Sequence, residues 1–197
     1  MPDTIQPRTA PNVFTRDHLD WLPWLEPLAE AELTEKHIAA LVDPARAKSD
    51  YFRLLARDPD ALEHRTRTDK DIFYNTDAGA PRADRELAAA AVSRFNGCIY
   101  CASVHARFAS TYAKREADVD RLLAEGVGAD LGERWNAIVA ASVALTAIPM
   151  TFGPEHVQRL RATGMDDLAI SDIIQGAAFF NWANRLMLSL GEPATKA

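Results

Sequence analysis

Apolar residues along this chain recur at three- and four-residue intervals, the period of helices with one buried face. Ile38, Leu41 and Val42 mark one such face, on a helix that Thr34 would cap and that gives way at Asp43-Pro44. Asp43-Pro44 and Asp58-Pro59 each pair an N-cap acid with a proline at the first helical position. They predict one helix from Pro44 carrying Tyr51, Leu54 and Leu55, and another from Pro59 carrying Leu62, Ile72 and Phe73. The middle of the latter, EHRTRTDKD, is so charged that one side must be solvated. After a loop over residues 75–80 the pattern predicts a helix from Pro81 to Phe95, the Asn96-Gly97 turn, and a helix from Cys98 to Ala113. Val119, Leu122 and Leu123 predict a short helix closed by Gly126 or Gly128. Further helices are expected over 132–147, 154–161 and 167–190. No period-two alternation of convincing length interrupts this series, so the predicted fold class is all-α.

The N-terminal region follows different rules. Residues 1–15 carry three prolines and little periodicity, which predicts an extended arm wrapping the body or a neighbouring subunit. Leu19, Trp21, Leu22, Trp24, Leu25 and Leu28 then form an apolar cluster broken by Pro23 and Pro27, expected as a short helix or turn. The chain therefore divides into an arm and helical extension (1–44), a helical domain (45–192) and a short tail (193–197).

Composition narrows the picture. The 197 residues suffice for one domain with a sizeable core. A net charge of −6 and a pI near 5.4 advertise no basic surface for nucleic acid or an anionic membrane. The most apolar late stretch, Ile173 to Leu190, is interrupted by Gln175, Asn181, Asn184 and Arg185, and reads as a buried helix instead of a membrane span. The first residues lack the layout of a signal peptide, so the expected location is the cytoplasm. In that reducing compartment a CxxC pair points to catalysis or metal before it points to a structural staple.

The chemistry concentrates between Glu86 and His105, in ELAAAAVSRFNGCIYCASVH, which holds both cysteines of the chain. Cys98, Cys101 and His105 stand at i, i+3 and i+7, within about 60° of arc on one helix face. Cys98 falls in the first turn, where free N–H groups favour a thiolate, and His105 lies one turn beyond Cys101, close enough to take its proton. Small residues Ala89, Ala90 and Ser93 flank Glu86 on its own helix, so a second helix can approach that face and bury the carboxylate. A solvated acid near the helix start is the alternative, and spacing leaves both open. Zinc is a rival for Cys98, Cys101 and His105, but a fourth ligand is not evident. His18, His37, His64 and His156 are scattered.

The spacing Glu86-x11-Cys98-x2-Cys101-x3-His105, within a wording that runs from Arg85 to His105, resembles the core motif of the alkylhydroperoxidase AhpD-like branch of the carboxymuconolactone decarboxylase-like superfamily. Residues 145–149, the Gly164-Met165 turn and the stretch from Asn181 to Gly191 are similar to the family too, and the likeness to its peroxidase-related, longer-chain members covers residues 45–192. The resemblance implies an AhpD-like helical bundle that reduces small organic hydroperoxides through a CxxC disulfide cycle. It assigns the peroxidatic nucleophile to Cys101, proton donation and resolution to Cys98, and the proton relay to His105 and Glu86. The helix dipole alone would have favoured Cys98 as nucleophile. Tyr100 departs from the best-studied members, which carry histidine there, and a phenol with a reference pKa near 10 shuttles protons poorly at neutral pH.

The resulting expectation is a peroxidase without cofactor or metal, served by an unidentified dithiol reductant and assembled as a homo-oligomer (dimer, trimer or hexamer), with no nucleic-acid or membrane partner. Two alternatives share the motif. One is a non-peroxidatic CxxC redox partner or sensor; the other is a cofactor-free decarboxylase or lactone-processing relative acting through Glu86 and His105.

Overall fold

A computed structural model describes residues 11–77 and 79–195. The first ten residues of the proline-rich arm and the final two of the chain lie outside the described residues. The architecture is all-α: α1 (Glu35–Ala40), α2 (Asp50–Leu55), α3 (Pro59–Tyr74), α4 (Arg82–Asn96), α5 (Ile99–Ala113), α6 (Glu116–Glu125), α7 (Glu133–Thr146), α8 (Pro154–Ala162) and α9 (Asp167–Leu190). Caps read from the sequence form as expected. Thr34 Oγ1 accepts from the His37 N–H at 3.4 Å, Asp43 from Ala45 at 3.0 Å and Asp58 from Ala61 at 3.1 Å.

The centre of the molecule is α4. Leu87 to Val92 are fully buried, and the four consecutive alanines among them let neighbouring helices come close. α5, α7 and α9 all pack on α4. α4 and α5 form a tight helical hairpin joined at Gly97, whose φ of 82° lies in the left-handed region that a side chain would strain. That short connection places the thiols beside the buried face of α4.

Three expectations need correction. Leu19–Pro23 is not a helix or turn but a strand, β1, and it pairs antiparallel with β2 (Gly191–Thr195) at the far end of the chain. The ladder exists because two distant segments meet, so no local alternation announced it. Gly191 is required by the close approach: a Cβ there would lie 2.4 Å from the Leu22 carbonyl oxygen and the Trp21 ring. Residues 193–195, expected as tail, thus belong to the ladder. Pro44 opens only a short 3-10 turn to Lys48, and Tyr51, Leu54 and Leu55 sit on the separate helix α2.

The described part of the N-terminal segment docks on its own body. Arg16 Nε donates to Asp120 at 2.6 Å, Arg107 donates to the Arg16 carbonyl at 2.9 Å, and Phe14 stacks under Arg94. Trp21 is buried against Tyr51, with ring centroids 5.3 Å apart, whereas Trp24 and Trp182 are exposed. No helix among the described residues is long and apolar enough to cross a membrane.

Candidate active site

Glu86, Cys98, Cys101 and His105 converge where α4, α5, α3 and α9 meet, and all four are buried. Of the two readings left open for Glu86, the buried one holds: its residue is 1% exposed. Burying a carboxylate is costly unless it is paired, and here both oxygens are engaged. Arg82 Nε, one turn back on α4, donates to Oε1 at 3.0 Å, and His105 Nδ1 shares a 2.7 Å hydrogen bond with Oε2. A carboxylate accepts, so Nδ1–H donates and leaves Nε2 as the acceptor nitrogen of the imidazole. Arg82 is itself held by the Tyr112 hydroxyl at 2.7 Å and covered by the Tyr74 and Tyr112 rings. The imidazole is gripped edge-on by Phe180 at 4.0 Å and tilted against Phe73 at 5.1 Å, which fixes its plane.

The two cysteines are free thiols in contact with one another and with Asn184. Cys98 is the N-cap residue of α5; it makes no capping hydrogen bond of ordinary geometry. Its thiol nevertheless lies below the ordinary thiol range. The Cys101 thiol donates to it, burial opposes the shift, and the Cys101 N–H and the Asn184 amide add to the lowering. Cys101 moves the other way, well above the ordinary range, because Cys98 beside it takes the negative charge and burial adds to the cost. Of the two thiols, Cys98 is therefore the more acidic.

Asn184 is a site residue that the sequence reading passed over. It is fully buried on α9, its Nδ2 donates to Ser93 Oγ at 3.0 Å, and Asn96 Nδ2 donates to its Oδ1 at 3.2 Å. The only local signal was an amide inside an apolar helix, and that was read as evidence about membranes.

A cavity of about 170 Å³ opens beside the site. Cys101, His105 and Glu86 line it, together with Tyr51, Phe52, Phe73, Phe108, Phe180 and Met187; Cys98 does not. Tyr100 lines it as well, and burial raises its phenol above the usual value, so it presents a hydroxyl donor and not a proton shuttle. The charged run of α3 has the one solvated side that its composition predicts. Arg67 is solvated, but Arg65 and Asp69 turn inward and reach the cavity. Among the described residues no group of three or more His, Cys, Asp or Glu side chains is arranged to hold a metal ion.

Comparison with known proteins agrees with this architecture. Residues 59–144 match the model of the Carboxymuconolactone decarboxylase family, a span that includes α3 to α6 and most of α7. The fold is similar to the alkylhydroperoxidase AhpD core of an uncharacterized peroxidase-related protein from Ralstonia eutropha JMP134 (TM-score 0.71, 21% identity, covering 88% of this chain and 90% of that one). It is similar to a peroxidase-related protein from Silicibacter sp. TM1040 (TM-score 0.67, 20% identity, 98% and 95% covered). It is also similar to the debrominase Bmp8 (TM-score 0.66, 19% identity, 84% and 89% covered), of which a cysteine-to-alanine variant has been solved with 2,3,4-tribromopyrrole. A search of curated proteins finds no match. The chain thus has the AhpD-like helical fold, and its central helices match the Carboxymuconolactone decarboxylase family model.

Proposed function

We propose that the protein is a thiol peroxidase that reduces organic hydroperoxides through a Cys98–Cys101 disulfide cycle. One observation carries the reading: Cys101 lines the cavity with His105 and Glu86, while Cys98 lies behind it, in contact and out of the cavity. A peroxide entering the cavity meets Cys101 first. The first event is transfer of the Cys101 proton to Nε2 of His105, the acceptor nitrogen of the imidazole that Glu86 orients. The Cys101 thiolate then attacks the terminal peroxide oxygen; the O–O bond breaks, Cys101 becomes a sulfenic acid, and the departing alkoxide takes the proton from Cys98. Cys98, now a thiolate, attacks the Cys101 sulfur. The disulfide forms, and the hydroxide that leaves is protonated by the His105–Glu86 relay. Two thiols and one hydroperoxide give one disulfide, one alcohol and one water. An external dithiol must reopen the disulfide.

Hydroperoxide consumption by Cys101→Ser and Cys98→Ser tests the scheme. Cys101→Ser is expected to lose on the order of 10³-fold or more in turnover. Cys98→Ser should complete a single turnover and stop at a sulfenic acid that a carbon nucleophile such as dimedone traps. If both variants consume hydroperoxide as fast as the parent protein, the proposal fails.

A second reading rests on the likeness to the debrominase Bmp8 and on the aromatic walls of the cavity. The same thiols would expel bromide from a brominated ring, with hydrogen replacing it and the disulfide closing. Bromide release from 2,3,4-tribromopyrrole by the parent but not by Cys101→Ser would favour this reading over the first.

A further inference from the structure

The cavity carries a cation whose hydrogen-bond donors the peroxidase scheme leaves unused, although its charge favours the Cys101 thiolate. Arg65 projects from α3 into the wall, its side chain only 9% exposed, and its Nε and Nη1 have no hydrogen-bond partner. Its Nη1 lies 3.5 Å from Asp69 Oδ2, an ion pair without a hydrogen bond, and the same carboxylate oxygen is 3.9 Å from Arg46 Nη2. Arg46 Nη1 is likewise buried without a partner. Two guanidinium groups therefore share one carboxylate, and the other acid in the wall, Glu86, is occupied by Arg82 and His105. The guanidinium of Arg65 is held between the faces of Phe52 and Phe179, at 5.6 and 5.4 Å from the ring centroids, which fixes its direction without using its donors.

Buried donors left unpaired are costly, and a fork of guanidinium donors matches the two oxygens of a carboxylate. The remaining walls are aromatic and apolar, and about 170 Å³ accommodates a body the size of one benzene ring. The phenols of Tyr51 and Tyr100 are protonated donors on the same cavity. Resting on the peroxidase reading for the chemistry, the geometry points to Arg65 as the anchor of an acidic head group: the substrate is a small aromatic or compact apolar hydroperoxide that bears a carboxylate.

Calorimetric titration of the reduced protein with benzoate and with benzyl alcohol, which match in size and differ in charge, tests the inference without any turnover. The parent should bind benzoate about 10- to 100-fold more tightly than benzyl alcohol. Arg65→Met should abolish the difference while retaining benzyl alcohol, and Arg65→Lys should restore part of it. Equal affinity of the parent for both compounds would overturn the inference, and this comparison needs no folded variant. Parallel loss of both ligands in a folded Arg65→Met protein would overturn it as well, since it would mark Arg65 as a wall element only. A parent that prefers benzoate yet consumes no hydroperoxide would uphold the anion anchor and reject the peroxidase chemistry.

Discussion

Asp84 and Glu86 are two buried carboxylates two positions apart on the same helix, and they stand in opposite kinds of surroundings. Two residues along α4 turn the side chain by about 200°, so the two acids leave the helix on nearly opposite sides. Asp84 faces α7. It accepts from Arg134 Nε at 2.9 Å and from Trp135 Nε1 at 3.2 Å, and Arg134 goes on to the Thr163 carbonyl at 3.0 Å. These donors keep their protons throughout the physiological range, so this cluster can only hold helices together. Glu86 faces α5 and the cavity. One of its partners, Arg82, has the same permanence; the other is an imidazole, the side chain whose protonation changes most readily near neutral pH. Burial and charge are shared by both acids. What separates a structural acid from one suited to proton transfer is a titratable partner beside open space.

Exchanging the acids for amides puts this contrast under test, and the largest effect should come from Glu86→Gln. It is expected to reduce hydroperoxide turnover by on the order of 10²-fold, the usual worth of a positioned proton-transfer partner. A change within about threefold, by the same measure, would remove Glu86 from the scheme. Asp84→Asn should do the reverse. It should cost about 1–3 kcal/mol of stability in urea denaturation, because a buried hydrogen-bonded charge pair is lost, and leave turnover per folded molecule unchanged. Should Asp84→Asn slow turnover at full stability, the division between the two sides of α4 would collapse. The smallest effect is a titration. Followed by ultraviolet absorbance, one thiolate of the parent should appear below the ordinary thiol range and the second above it. The folded value of Cys98 is depressed, so its contribution to stability is present above the ordinary thiol pKa and lost as pH falls through the folded value. Cys101→Ala removes the largest cause of that depression, and Cys98 should then titrate at higher pH.

Much of the site was legible because its parts are close in sequence. Cys98, Cys101 and His105 lie on one helix face by periodicity, and the Asn96-Gly97 turn returns α5 against α4 and its glutamate, whose direction spacing left open. The groups that escaped notice come from elsewhere. Arg65 sits in a charged run of which composition required only that one side be solvated, and the packing of α3 against the body decides that Arg65 is on the other side. Asn184 lies 86 positions beyond Cys98 on α9, where an amide in an apolar stretch carries no indication of its partner. β1 and β2 were missed for the same reason, since each is defined only by the other.

The sequence by itself determined that the chain is helical, where most helices start and stop, and that two thiols, a histidine and a glutamate share one hairpin. These follow from periodicity, capping and turn chemistry, which act over a few residues. Tertiary structure decided which thiol meets the cavity, which thiol is the more acidic, that Glu86 is buried, and that a guanidinium with unpaired donors lines the same cavity as Cys101. Each of those depends on desolvation and on partners supplied by α3 and α9, and neither burial nor a long-range partner is encoded in local spacing.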